Sequence, residues 1–183
     1  MMSEFDLIHR YFAPLASGAA ASPGLGNAPG LGNALGLRDD AALLTPPPGE
    51  DLVLTLDTIV AGVHYLPDDP PETVAQKLLR VNLSDLAAMG ARPLGYLMST
   101  SLTGGQDESW IAGFARGLAV DQAEFGIALL GGDTTRTPGA TTLSLTAVGA
   151  VPAGRVLRRG GARPGDAIYV SGTLGEATVG LDL

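Results

Sequence analysis

The chain has 183 residues, 45% of them hydrophobic, with 11 basic against 19 acidic side chains and a formal net charge of −8. This is enough chain for a domain with a real core, and the composition is not that of a disordered segment. The acidic balance argues against broad nucleic-acid binding, no apolar run reaches the roughly 18 residues of a membrane span, and the lack of cysteine excludes disulfides and a thiol nucleophile.

The N-terminus lacks the basic start and apolar run of a secretory signal, so a cytoplasmic location is expected. Ser3–Ser17 reads as an amphipathic helix: Phe5, Ile8, Phe12 and Leu15 recur at helical spacing, with Ser3 and Asp6 as a capping pair. Residues 18–36, with the tandem repeat GLGNAP–GLGNAL, read as a flexible Gly-rich loop. Asp51–Val60 reads as a buried strand, followed by a loop through His64. Asp69–Met89 reads as a helix, with Asp69 as cap, Pro70 and Pro71 in its first turn and Gly90 as its stop. Leu94–Leu102 is a strand and Asp107–Phe125 an amphipathic helix. Ile127–Leu130 is a short strand ending in Gly131-Gly132-Asp133, Thr141–Val151 alternates as a strand, and Ala167–Val170 is another. Glu176–Leu183 reads as a helix just beginning. Helices between strands predict an α/β domain, a sheet with helices packed on one side.

The aspartates fall at informative places. Asp39 and Asp40 follow the Gly-rich loop, Asp57 stands near the end of an apolar strand, Asp85 sits in an otherwise apolar helix, and Asp133 follows two glycines. Carboxylates in apolar surroundings need compensation, which a hard divalent cation such as Mg²⁺ supplies. Glycines at 131 and 132 let a backbone approach phosphate closely. By itself Gly-Gly-Asp reads equally well as an ordinary turn capped by Asp133, and His64 alone reads as a loop histidine. Two histidines and no cysteine exclude a His/Cys zinc site. No GxxxxGK[ST] is present, and the GxG stretches near Gly24 and Gly30 follow no strand, which excludes a P-loop and argues against a dinucleotide fingerprint.

Six segments in order, FDLIHRYF, RDDAALL, LTLDTIVAGVHYLPDDPP, KLLRVNLSDLAAMGARP, LLGGDTTR and RRGGARPGDAIYVSGTLGEA, resemble thiamine-monophosphate kinase. This family belongs to the superfamily of aminoimidazole ribonucleotide synthetase and selenophosphate synthetase. The resemblance implies an aminoimidazole ribonucleotide synthetase-like N-terminal domain: a mixed sheet of about four strands with helices on one face. Residues 1–151 would be that ATP- and Mg²⁺-binding domain, and 152–183 the start of a truncated C-terminal domain. It implies transfer of the ATP γ-phosphoryl group to thiamine monophosphate, giving thiamine diphosphate, in a homodimer paired through the N-terminal sheets. A non-catalytic dimerisation module of the same superfamily is the alternative. By resemblance Asp40, Thr55, Leu56 (through its backbone), Asp57, Asp85 and Asp133 match metal ligands. Gly132, Asp133 and Arg159 match nucleotide contacts, and His64 matches a substrate contact. No residue is assigned as catalytic, because a phosphate monoester with a second pKa of about 6 needs little help from a base. Two positions depart from the family pattern. Arg38 stands where glycine usually precedes the paired aspartates, and Leu56 where a hydroxyl residue precedes Asp57.

Overall fold

Alternation in the strand that crosses the middle of the domain decides which side of the sheet is buried. In β6 (Thr142–Pro152), Leu143, Leu145 and Ala147 are fully buried, while Thr142, Ser144 and Thr146 on the other face are half-buried. A strand with one packed and one open face shows this period of two. The computed structural model describes residues 4–17, 32–175 and 180, and in it β6 pairs antiparallel with β3 (Glu50–Val60) and β4 (Arg92–Leu102). β4 in turn pairs parallel with β5 (Leu129–Arg136), so the order is β3–β6–β4–β5 with β3 and β5 at the edges.

Two helices cover one face. α3 (Pro71–Ala88) buries Val74, Ala75, Leu78, Leu79, Asn82 and Leu86. α4 (Glu108–Phe125) buries Ile111, Phe114 and Leu118. The helices approach closely because Gly117 faces α3: a Cβ there would stand 2.3 Å from the Glu72 carbonyl oxygen. An ion pair adds to this contact. Asp121, fully buried, accepts two hydrogen bonds from Arg80 (both 2.8 Å) and one from Gln76 (3.0 Å). The Asp121 carboxylate also holds the Arg80 guanidinium above its ordinary pKa. Tyr96 is buried under α4, where its hydroxyl accepts from Gln122 (3.2 Å), and burial pushes its phenol up.

The expected N-terminal helix is present from Glu4, in three pieces: α1 (Glu4–Leu7), a π-helical stretch (Ile8–Phe12) and α2 (Ala13–Ser17). Arg10 and Tyr11 both reach Glu108 at 2.6 Å, tying this segment to the start of α4. Phe12 and Leu15 enter the core. Ser3 lies outside the described residues, as does most of the Gly-rich loop; its last part pairs β1 (Gly32–Asn33) with β2 (Leu43–Leu44).

Three expectations need correction. Gly131-Gly132-Asp133 does not end a strand, because β5 runs through it to Arg136, with Gly131 to Arg136 in continuous register with Leu97 to Leu102 of β4. Ala167–Val170 forms no strand: Ile168 and Tyr169 are over 90% exposed, and among the described residues no neighbouring strand offers a ladder. Asp69 does not cap α3; Pro70 holds that position, and the Asp69 carboxylate accepts from the Leu66 amide (2.8 Å) within the preceding turn. Asp107 does cap α4, accepting from the Trp110 amide at 2.8 Å. The helix expected at 176–183 falls outside the described residues except for Gly180.

Candidate functional site

The candidate residues separate into two groups at opposite edges of the sheet. The first surrounds β3. Thr55 and Asp57 stand two residues apart and so share a face, the one covered by α3. Thr55 Oγ1 donates to Asp85 Oδ2 at 2.7 Å, joining strand to helix. The Leu56 side chain, 63% exposed, points to the opposite face. Its carbonyl is placed by the ladder. The Ala61 amide donates inward to Thr141 (3.0 Å), and alternate residues of a strand direct their backbone groups to opposite sides. Even-numbered β3 residues therefore turn theirs away from β6, to the edge that no strand meets among the described residues, and the Leu56 carbonyl lies on that side whatever its side chain.

The second group lies along β5. A cavity of about 690 Å³ is lined by Asp39, Asp40, Gly131, Gly132 and Asp133, with Ile8, Phe12, Leu37, Leu97 and Leu130 among its apolar walls. Asp40 and Asp133, far apart in sequence, thus border one space. Asp133 is in register with Ser99, on the face without helices, and two residues further Thr135 meets Ser101 at 3.0 Å on that same face. Gly132 faces the other way and is packed against β4: a Cβ there would stand 1.8 Å from the Met98 carbonyl oxygen. Gly131 has ordinary room, its nearest neighbour being Leu97 at 3.4 Å.

The four aspartates do not converge in one chain. Three strand spacings separate β3 from β5, about 14 Å, and among the described residues no three Asp, Glu or His side chains lie close enough to hold a metal. Nor do they occupy apolar surroundings. Asp40, Asp85 and Asp133 are exposed and Asp57 is half-buried, because Asp85 sits on the flank of α3 away from Leu86 and the core. Arg159 is exposed in a short 3₁₀ turn (Arg159–Gly161) remote in sequence from both groups. His64 is exposed in the turn after β3.

Arg38 fits its place without strain: its backbone (φ −113°, ψ −9°) is one any residue adopts. The left-handed positions are its neighbours Leu35 (φ 50°) and Leu37 (φ 54°), a conformation uncommon for branched side chains. Sequence reasoning noted Asp39 without assigning it a role, and missed the cavity walls Ile8 and Phe12. The FDLIHRYF segment held both wall residues; nothing in its spacing announces a π-helical turn.

An α/β domain with a four-stranded mixed sheet, helices on one face and acidic residues distributed over both edges defines the class. The AIR synthase related protein N-terminal domain family matches residues 38–151, and the chain belongs to it. It is 47% identical over 179 residues to thiamine-monophosphate kinase of Caulobacter vibrioides, a match covering 98% of this chain and 47% of that one. The crystal structure of thiamine-monophosphate kinase from Stenotrophomonas maltophilia K279a superposes with a TM-score of 0.77 at 43% identity, covering 99% of this chain and 52% of that one. AaThiL complexed with AMPPCP and TMP gives 0.70 at 32% identity, over 75% and 44%. The family read from the six segments is thus the one the comparisons return. The chain spans about half the length of the curated relatives it matches. Among the described residues no helix is long and apolar enough to cross a membrane.

Proposed function

We infer that this chain is the N-terminal part of an ATP- and Mg²⁺-dependent kinase that phosphorylates thiamine monophosphate to thiamine diphosphate. What carries the reading is that Asp40, Gly132 and Asp133 border one cavity in a chain so similar to thiamine-monophosphate kinases. Residues up to 151 form the nucleotide-handling domain, and 152–183 open the second one.

The donor chemistry supports magnesium. Thr55 Oγ1, the Leu56 carbonyl, Asp57 and Asp85 offer only oxygens, as do Asp40 and Asp133, and Mg²⁺ takes oxygen ligands while keeping several waters. When bound, the metal supplies neutralisation of charge on the polyphosphate. The chain's own part is placement. The Thr55–Asp85 hydrogen bond fixes strand against helix. The open edge of β5 brings backbone close to a phosphate chain, Arg159 adds a cation for the nucleotide, and His64 contacts the substrate. A phosphate oxygen of thiamine monophosphate attacks the γ-phosphorus of ATP, and the Pγ–O bond to ADP breaks.

A homodimer paired through the sheets belongs to the same reading. Leu54 and Leu56 are 65% and 63% exposed on the helix-free face, with Leu97 (43%) on β4, and such a patch marks an interaction surface. The test is a coupled assay with thiamine monophosphate, ATP and Mg²⁺. Asp57→Asn is expected to lower kcat about 100-fold, and full rate in that variant removes Asp57 from the mechanism. A protein that dimerises in light scattering yet never turns over supports the non-catalytic module instead.

A further inference from the structure

The cavity beside β5 is short of positive charge. Among the described residues that line it, Arg38 is the only cation, and it shares the space with three carboxylates, Asp39, Asp40 and Asp133. The turn before Arg38 fixes its place. The Leu37 amide donates to the Ala34 carbonyl at 2.8 Å, and the Leu37 side chain packs against the core and lines the same cavity. Leu35 and Leu37 hold left-handed backbone (φ 50° and 54°), a conformation that persists in such residues only where the surroundings impose it. Arg38 follows this anchored turn and is exposed. An arginine beside two aspartates ordinarily pairs with them. Here, among the described residues, the ion pairs are those of Arg10, Arg80, Arg92 and Arg116, and neither Asp39 nor Asp40 pairs with Arg38.

The guanidinium is therefore left for a ligand. Three carboxylates around one space repel a polyphosphate, and a planar, weakly hydrated guanidinium can donate to two phosphate oxygens at once. We propose that Arg38 is a nucleotide-binding residue: its guanidinium takes oxygens of the ATP polyphosphate in this cavity and offsets part of the repulsion from Asp39, Asp40 and Asp133. The inference rests on the kinase reading for the identity of the anion, and on the lining of the cavity for the residue. It separates Arg38 from its acidic neighbours in role. They can reach the polyphosphate only through a cation, whereas Arg38 reaches it directly.

The test is isothermal titration of the chain and its Arg38 variants with a non-hydrolysable ATP analogue and with adenosine, both in Mg²⁺. Arg38 is exposed and unpaired among the described residues, so Arg38→Gln should melt within about 2 °C of the parent, which separates lost binding from lost fold. Arg38→Gln is expected to weaken the analogue about tenfold, the loss of one charge-assisted contact at an exposed site. Adenosine, which carries no phosphate, should bind both proteins alike. Arg38→Lys keeps the charge without the planar fork and is expected to fall between the two. An Arg38→Gln protein that binds the analogue as tightly as the parent overturns the proposal and leaves the kinase reading intact. A loss of equal size for adenosine does the same, because it would assign Arg38 to the shape of the cavity. A parent that binds neither ligand sinks the proposal and the kinase reading together.

Discussion

The two glycines before Asp133 are expected to behave differently, and the difference separates packing from phosphate binding. At Gly132 an added Cβ would lie 1.8 Å from the Met98 carbonyl oxygen, 2.8 Å from its carbon and 3.1 Å from its nitrogen. These are main-chain atoms of the adjoining strand, so no rotamer change relieves the clash, and β5 must move away from β4 by more than an ångström. Overpacking typically costs 1–3 kcal/mol, and a backbone-on-backbone clash belongs at the upper end, about 3 kcal/mol. For a chain of this size each kcal/mol lowers Tm by about 2–4 °C, so Gly132→Ala should melt about 6–12 °C below the parent. At Gly131 the nearest atom is a Leu97 methyl at 3.4 Å, and Gly131→Ala should stay within about 2 °C. Thermal unfolding followed by circular dichroism, without nucleotide, measures both. A Gly132→Ala protein melting with the parent would refute the packing argument and leave phosphate approach as the reason for that glycine.

The remaining predictions concern the clamp, the cap and the open face. Arg80→Met leaves the fully buried Asp121 with the Gln76 amide as its remaining side-chain partner among the described residues, and removing one member of such a pair costs about 3–5 kcal/mol; Arg80 is half-exposed, so about 3 kcal/mol is expected by urea unfolding, more than for Asp121→Asn. Asp107 is held below its ordinary pKa first by the Trp110 amide and then by Ser109. Its stabilisation is therefore complete above the unfolded-state value and lost as pH falls through the lowered one, so the gap in urea midpoint between parent and Asp107→Ala should be present at pH 7 and shrink toward pH 2. Leu54→Glu places a charge on the helix-free face and should shift a dimer toward monomer in light scattering, with an unchanged oligomeric state counting against pairing through that face.

What was legible in the sequence is what depends on local pattern. Thr141–Val151 alternates over its first half, where Leu143, Leu145 and Ala147 enter the core, and that period of two needed no structure. Pro70, Pro71 and Gly90 bracket α3 through backbone constraints that act within a turn. Ala167–Val170 shows the limit of such signals: four residues with strand propensity acquire a ladder only where a partner strand exists. The strand at Ile127–Leu130 was ended too early at Gly-Gly-Asp for a related reason. Glycines suggest a turn, yet here Gly132 is the residue that lets β5 approach β4. The order β3–β6–β4–β5 joins strands distant in sequence, so no spacing rule could have shown that Asp57 and Asp133 sit on opposite edges.

That separation changes the physical argument for the site. The expectation from sequence invoked burial: aspartates among apolar residues would carry a desolvation cost that a cation offsets. In the structure Asp40, Asp85 and Asp133 are in water and Asp57 only half out of it, so no such cost calls for a metal. The observations that remain are geometric. Among the described residues one edge presents a hydroxyl, a carbonyl that no strand meets and two carboxylates, and the other an edge strand beside two further carboxylates and an apolar cavity. Exposed carboxylates hold cations weakly unless the ligand brings charge of its own, and a polyphosphate does so, since each oxygen it contributes replaces a water on the same ion. Metal affinity should therefore rise steeply when nucleotide is present. Isothermal titration with Mg²⁺ alone is expected to give binding no tighter than the millimolar range, and the same titration with a non-hydrolysable ATP analogue at least about tenfold tighter binding. Equal affinity in the two titrations would mean that the carboxylates form a complete site unaided, against their separation across the sheet.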